Sequence, residues 1–582
     1  FLPAPMQRAL GSSLKVLAVQ RSGGAHHEGF AALSADRYNM RMYTCIKTIR
    51  QKMHPTGPAL SIALVTAGFL MGCTIQISEP TVSHHPRMQN RPWLLHCESA
   101  RTYDKSPKKV AGADWRNWVF AKGAQGQLIN VEGKLVDGFF EVAAIVTGSG
   151  QLIEPTRLAA RELCLSTLRS IGGDKDLMLG WAMVARAGEK VNIPPVYPEE
   201  IAVGNEITRV VIFGDSLTDS GRLKQRLKIF PMKPYWIGRF SNGPTWPEYL
   251  AMATSLGIQN HAYGGASAAK PDALPGVNLY MRSRDLGQFF VSGSIKLQIS
   301  DYLGGTLKSR KIEQADTTAF LIWAGANDYI SKEPISGLIT TFLNSPEGKA
   351  GYKRVVERAV AQLDLDVRTL YGAGARKFIM VNIPDLGRAP IVLQNTTYKH
   401  EDSATNDAAR RIELARRLTE LTRYHNQQLL IATRQLREEL PESEILYVDA
   451  DKYFQLLSGF NESAPLQPRD FGYDPAGLAE SLSYQDSQLS LQQPCYKGSY
   501  LGTKDARKLC TNPEQALFWD TVHPTTLTQC WQAWKVGGDM AAAGWIRPLP
   551  DHSAYRHWCQ TIVDRVTMES VEGFAPVVSE GD

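Results

Sequence analysis

A serine hydroxyl becomes a nucleophile when a base takes its proton and a carboxylate holds that base in place. Two blocks of this sequence supply those three groups. Phe213-Gly214-Asp215-Ser216-Leu217 ends an apolar run, so a small residue lets the chain turn and expose the Ser216 hydroxyl, and the stretch that follows can start a helix. The N–H groups of such a helix would favour developing negative charge. Asp520-Thr-Val-His523-Pro524 sets a carboxylate three residues before an imidazole, a separation that one loop can span. Two blocks between them carry donors for an oxyanion. Asn260-His-Ala-Tyr-Gly264-Gly265-Ala266 offers a backbone N–H, and Gly325-Ala-Asn327-Asp328 offers a side-chain amide. Singly, each block has a plainer origin: Gly-Asp-Ser is a common turn or N-cap, Asp-x-x-His a surface loop, Gly-Gly a turn, and Asn after a strand a cap. The four gain weight from standing together in one chain.

The surrounding elements are short apolar runs alternating with helical periodicity. Arg209 to Phe213, Thr318 to Trp323, Lys377 to Ile383 and Ile445 to Val448 are apolar enough for parallel strands buried on both faces. Lys353 to Tyr371 has apolar residues at helical spacing, and Asn406 to Leu440 is longer with a charged outer face. This alternation predicts a doubly wound α/β sheet with its ligands at the carboxyl ends of the strands. Upstream, Gln127 to Thr147 alternates and is expected to form short strands or a hairpin, Pro155 to Ile171 a helix, and Ile193-Pro-Pro-Val-Tyr-Pro a stiff connector. The biased segment Ser481 to Pro494 is expected to be a loop.

In this order the four blocks resemble the GDSL (SGNH) hydrolases, over about residues 206–545. Gly238-Arg-Phe-Ser-Asn-Gly243 with Trp246, and Val381-Asn-Ile-Pro-Asp385, resemble supporting segments of that family. The resemblance implies an α/β fold of the SGNH type: a doubly wound, mostly parallel sheet with flanking helices, preceded by a smaller N-terminal region. It implies that Ser216 is the nucleophile, His523 the base and Asp520 its orienting carboxylate. The Ser216 N–H, the Gly265 N–H and the Asn327 amide would line the oxyanion hole. Gly265 is preferred because it directly precedes Ala266-Ser267, and Gly264 stays open. An ordinary α/β-hydrolase is disfavoured, because Gly265-Ala-Ser267-Ala-Ala269 lacks the last glycine of a nucleophile elbow. An activated serine needs no cofactor. No metal is expected either, since His84-His85 has no partner spacing and no His-Glu-x-x-His occurs.

Charge narrows the partners. The chain has 582 residues and a formal charge of +6, but residues 1–72 alone hold eight Lys/Arg against Glu28 and Asp36. The rest is neutral, which argues against nucleic acid. No apolar run reaches the ~18 residues of a membrane span. The basic stretch Lys47 to Lys52 precedes the apolar run Ala59 to Gly72, which together read as the n- and h-regions of an export signal. Residue 1 is Phe, so Met40, Met42 or Met53 is a more natural start, and residues 1–39 would then not be translated. Leu70-Met71-Gly72-Cys73 resembles a bacterial lipobox, which implies acylation of Cys73 and anchoring at a membrane surface; plain secretion stays open. The expected organisation is a leader with its signal over 1–72, an extension of unknown role over 73–205, a catalytic domain over 206–545 and a tail over 546–582.

Six cysteines remain for the exported chain: Cys97, Cys164, Cys495, Cys510, Cys530 and Cys559. They permit three disulfides in about 15 pairings, of which joining neighbours is the simplest. Chain length and cysteine pattern resemble the secreted bacterial phospholipase A, glycerophospholipid–cholesterol acyltransferase and thermolabile-haemolysin branch of the family. That implies a lipolytic enzyme acting on phospholipid acyl esters, with acyl transfer to a sterol as a second outcome. It also implies a disulfide-closed loop, here 496–509 with its four basic residues, as the target of an activating protease. Two other readings compete: a carbohydrate or small-ester deacetylase of the same fold, and a surface binding lipoprotein whose hydrolase domain is inactive.

Overall fold

The computed structural model describes residues 91–101, 118–172, 177–189, 191–227, 231–232, 234–269, 294–304, 311–332, 339–341, 351–393, 408–460, 464–473, 491, 493–500, 509–510 and 513–567. The leader, Cys73 and nearly all of the Ser481 to Pro494 segment lie outside the described residues.

The first part is a seven-stranded, mostly antiparallel sheet. Its strands are β1 (Trp93–Arg101), β2 (Trp118–Phe120), β3 (Ile129–Val136), β4 (Phe139–Thr147), β5 (Leu152–Ile153), β6 (Leu177–Arg186) and β7 (Pro195–Val196). The alternating stretch around 127–147 is the β3–β4 hairpin. Its turn, Asp137-Gly138, has φ of 51° and 82°, the pair of left-handed conformations that a two-residue hairpin turn requires. The helix α1 (Arg157–Gly172) buries Ala160, Cys164, Leu165 and Leu168 against β1, β3 and β4 residues. The Cys97–Cys164 disulfide ties α1 to β1.

The second part begins with β8 (Arg209–Gly214), β9 (Gly257–Asn260) and β10 (Thr318–Trp323), followed by the small hairpin of β11 (Ile330–Lys332) and β12 (Ile339–Thr341), then β13 (Lys377–Val381) and β14 (Glu444–Val448). The main sheet runs β9-β8-β10-β13-β14, and every pair in it is parallel. Successive side chains point to opposite faces of a strand. Val210, Ile212, Leu321, Trp323, Ile379 and Val381 therefore join one core, and Val211, Phe213, Phe320, Ile322, Phe378 and Met380 the other. Helices α2 (Arg222–Leu227) and α3 (Trp246–Thr254) follow β8, and α4 (Ile295–Tyr302) precedes β10. Then come α5 (Lys353–Gly372), α6 (Ala408–Glu439), α7 (Ala450–Leu457), α8 (Thr526–Ala542) and α9 (His552–Thr567). α3, α7, α8 and α9 cover the first face; α4, α5 and α6 cover the second.

Two features differ from the sequence expectations. β9 has no counterpart among the expected strands, because Gly-Ile-Gln-Asn is an edge strand too short and polar to show a strand pattern. The stretch after 546 is no simple tail: Tyr555 and Cys559 of α9 are fully buried against α8, and Cys559 is bonded to Cys530.

The two parts meet through charge. Arg239 is fully buried, and its guanidinium bonds Glu98 of β1 at 3.1 Å and Glu248 of α3 at 2.6 Å. Burial alone would weaken its charge, but the two carboxylates hold it more firmly than usual. Arg209 of β8 pairs likewise with Glu141 of β4.

Asp366 is a buried carboxyl on α5 that serves no such pair. Gln362 donates to its Oδ1 at 3.0 Å, and its Oδ2 has no hydrogen-bond partner among the described residues. Burial pushes its pKa up to about 7, well above the unfolded value. The folded state therefore binds the proton more tightly, so the group's contribution is full below about pH 4 and is lost as pH rises towards 7. Asp366→Asn should remove that slope. At pH 8 the variant should be more stable than the parent by a few kcal/mol, at about 1.4 kcal/mol for each tenfold difference in proton affinity between the folded and unfolded states. Denaturant unfolding at pH 5 and pH 8 reads this directly; an equal difference at both would refute it.

Candidate active site

In an open parallel sheet, ligands bind where the strand order reverses, outside the carboxyl ends of the strands. Here the chain leaves β8 to one side for β9 and returns to the other for β10. Ser216 stands two residues past β8, and Asn327 four residues past β10. The reversal thus places the two blocks side by side.

The turn at Ser216 is held from both directions. Gly214 exchanges two hydrogen bonds with the Gln298 amide, donating at 3.0 Å and accepting at 2.9 Å. A Cβ on Gly214 would lie 3.0 Å from Thr218 and from the Trp323 carbonyl, so the neighbouring strand needs a glycine there. Thr218 N and Asp219 N donate to the Asp215 carbonyl and close one turn. No helix starts directly after Ser216; α2 begins at Arg222, because the Asp219 carboxylate accepts from Arg222 N at 2.6 Å and Leu223 N at 3.2 Å. The helix-terminus field expected at Ser216 is therefore that of a single turn.

The Asp520–His523 loop is folded on itself. Trp519 N donates to the His523 carbonyl at 2.7 Å, and the Asp520 Oδ1 accepts from Val522 N at 2.7 Å and His523 N at 2.8 Å. Thr525 then caps α8, accepting from Thr528 N. On the other side, Cys495 N and Tyr496 N donate to the Phe518 and Trp519 carbonyls, so these two residues flank the stretch that leads into the loop.

These placements bring three side chains into line across 307 residues of sequence: His523 Nε2 is 2.7 Å from Ser216 Oγ, and His523 Nδ1 is 2.9 Å from Asp520 Oδ2. Asp520 is fully buried and His523 is 1% exposed, while the Ser216 residue keeps 9%. A hydroxyl hydrogen-bonded to an imidazole whose other nitrogen faces a carboxylate is able to lose its proton to that imidazole and attack an acyl carbon.

The donor blocks are anchored by carboxylates that sequence reasoning did not single out. Asp219 Oδ2 accepts from Gly264 N at 2.9 Å, which uses that N–H; Gly265 follows at φ 84°. Asp328 accepts from Ala268 N at 2.8 Å and Ala269 N at 2.9 Å, and so straps the glycine block to the asparagine block. Asn327 Nδ2 donates to the Ala266 carbonyl at 2.9 Å and lies 3.3 Å from Asp215 Oδ2. Burial pushes the Asp215 carboxyl up to about 7, with the Asp328 charge adding to the rise, and burial pushes Asp328 itself to about 7. Asp219 rises to about 6 for the same reason, opposed by its three backbone donors. The one signal in the sequence is adjacency to Ser216 and Asn327, since Asp215, Asp219 and Asp328 all lie within three residues of a residue already chosen.

The other candidates divide cleanly. The structure joins Cys97 to Cys164, Cys495 to Cys510 and Cys530 to Cys559. The loop residues 501–508 lie outside the described residues, as does Cys73.

A parallel α/β sheet with a serine, histidine and aspartate at its switch point defines a serine hydrolase. The family model for the GDSL-like Lipase/Acylhydrolase family matches residues 210–534, more than half of the chain, and the chain belongs to that family. It is 26% identical over 339 residues to the phosphatidylcholine-sterol acyltransferase of Aeromonas hydrophila, covering 55% of this chain and 86% of that one. It is 23% identical over 489 residues to the thermolabile hemolysin of Vibrio parahaemolyticus, covering 82% and 96%. A GDSL esterase/lipase of Arabidopsis thaliana is 26% identical over 338 residues, covering 54% and 83%.

Proposed function

We propose that the protein is an exported lipolytic acyl-ester hydrolase working through an acyl-Ser216 intermediate. The observation that carries this is the Ser216–His523–Asp520 alignment. In the proposed cycle His523 takes the Ser216 proton as Oγ attacks the acyl carbonyl, and returns it to the leaving alcohol. Asp520 keeps the imidazole in the tautomer with Nε2 facing serine. The Ser216 N–H, the Gly265 N–H and the Asn327 amide receive the oxyanion. Gly265 is assigned over Gly264 because the Gly264 N–H is already given to Asp219. Water then attacks the acyl group; an alcohol such as a sterol entering instead gives transfer from the same intermediate.

Phospholipid as substrate is supported by the likeness to the Aeromonas phosphatidylcholine-sterol acyltransferase, and export by the apolar run before Cys73 and by three disulfides, which persist in oxidising compartments. Lipidation of Cys73 would hold the enzyme at the membrane that contains its substrate. Activation by a protease cutting within 496–509 belongs to the same proposal, because Lys497 is exposed while Tyr496 and Tyr500 on either side of it are buried.

The deciding experiment is product analysis on mixed phospholipid–cholesterol vesicles with the parent protein beside Ser216→Ala. Release of fatty acid and lysophospholipid supports the proposal, and cholesteryl ester marks transfer. Turnover of p-nitrophenyl acetate with none of the palmitate ester or of the vesicles would point to a small-ester deacylase and overturn it.

A further inference from the structure

Tyr235 is a buried side chain with no place in the scheme above. Its O–H donates to Asp520 Oδ2 at 2.5 Å across 285 residues of sequence. The backbone N–H groups on Oδ1 come from the loop of Asp520 itself, whereas Tyr235 reaches the carboxylate from a segment 285 residues away in sequence. Oδ2 therefore receives the phenol, and His523 Nδ1 lies 2.9 Å from Oδ2 and 3.0 Å from Oδ1.

The position of that phenol is built, not incidental. Ile237, two residues on, has φ of 39°, a conformation that a β-branched residue adopts only when its surroundings force it. Tyr235 N donates to the Met232 carbonyl, and Met232 N donates to the Tyr500 carbonyl. The ring is enclosed by Tyr496 at 5.5 Å, Tyr500 at 5.8 Å, Phe240 at 6.2 Å and Trp519 at 6.3 Å, centroid to centroid. Tyr496 and Tyr500 are both brought there by the segment closed by the Cys495–Cys510 disulfide. Burial, and then the Asp520 charge, push the Tyr235 phenol well above its ordinary pKa. It keeps its proton throughout the working range and is the donor in this bond.

We infer that Tyr235 is a positioning residue for ester hydrolysis: it fixes the Asp520 carboxylate opposite His523 Nδ1 and, by donating a hydrogen bond to it, lowers its basicity. No proton leaves Tyr235 in this role. A less basic carboxylate stabilises the imidazolium less, so the bond is felt in the stability of the imidazolium formed during turnover. The inference rests on the proposed roles of Ser216, His523 and Asp520. Among the described residues, the groups shown to act on the phenol besides Asp520 are Tyr500 and Tyr496, and His523 faces the same carboxylate. All are unchanged in a Tyr235 variant, so a difference between two pH profiles isolates the phenol.

The test compares Tyr235→Phe with the parent protein on a soluble acyl ester. The expected result is a fall in kcat of about tenfold, the loss of one hydrogen bond to a charged group. KM should stay within about twofold, and the acid limb of log kcat/KM should move to higher pH by about half a unit. Replacing Tyr235 by 3-fluorotyrosine strengthens the donor while keeping the ring, and should move that limb to lower pH; it also carries the test if Tyr235→Phe does not fold. In an Asp520→Asn background the Tyr235→Phe effect should largely vanish, because the two changes remove one interaction. Additive losses with unmoved acid limbs would show that Tyr235 only fills space, and would overturn the inference. Ser216→Ala, assayed alongside, keeps the outcomes apart: turnover retained there refutes the site itself, whereas an inactive Ser216→Ala beside an unaltered Tyr235→Phe refutes the role of Tyr235 alone.

Discussion

Ser216→Ala is expected to lower kcat/KM for acyl esters by about 10⁴–10⁶-fold while the protein stays folded, and His523→Ala to cost nearly as much, since nucleophile and base act as a unit. The 2.7 Å contact between Ser216 Oγ and His523 Nε2 is the reason. Without the hydroxyl there is no acyl-enzyme route, and without the imidazole the hydroxyl keeps its proton. The serine change removes one oxygen from a turn that is held by backbone bonds and by Gln298, so thermal unfolding should change little. Double replacement should cost hardly more than either single change. Steady-state rates with purified variants check this, and near-parental turnover by folded Ser216→Ala would remove the assignment of the nucleophile.

Asn327→Ala is expected to lower kcat by about 10²–10³-fold with little change in KM, the usual effect of losing one oxyanion donor. The structure adds a reason to expect the upper end. The same amide donates to the Ala266 carbonyl at 2.9 Å, so its loss also loosens the glycine block that carries the Gly265 N–H. Asn327→Asp keeps the size but replaces the donor by a carboxyl beside Asp215, whose own carboxyl lies 3.3 Å from the amide nitrogen. It should be no better than Asn327→Ala above neutral pH. A change confined to KM in either variant would mean that Asn327 binds substrate.

Much of the site is legible in the sequence because its residues sit at strand ends. β8, β10, β13 and β14 are apolar runs, and a serine or asparagine just beyond such a run has its position decided by the strand. Asp520 and His523 are legible because they stand three positions apart in one loop. What stays hidden depends on distance in sequence. Nothing near Tyr235 points to Asp520, and nothing near Glu98 points to Arg239. The helix expected after Ser216 is displaced for a local reason: the Asp219 carboxylate captures the N–H groups of Arg222 and Leu223 and starts the helix there instead. β9 escapes notice because an edge strand beside β8 needs few apolar residues. The N-terminal sheet is legible only as a hairpin and a helix, since β1 and β6 pair across the 75 residues between Arg101 and Leu177.

The Glu98–Arg239–Glu248 cluster bears on ancestry and on engineering. Removing one partner of a buried charge group is costly, commonly about 3–5 kcal/mol, whereas replacing the whole group with apolar residues can be neutral. Glu98 and Arg239 should therefore be inherited as a pair, lost or kept together when lineages diverge, although they lie on opposite sides of the boundary expected from the sequence at 205–206. The same logic makes the N-terminal sheet a poor cassette. A version of the enzyme trimmed to begin at residue 206 would strand Arg239 with Glu248 alone, and a foreign domain spliced in its place would need to bring its own carboxylate to that point.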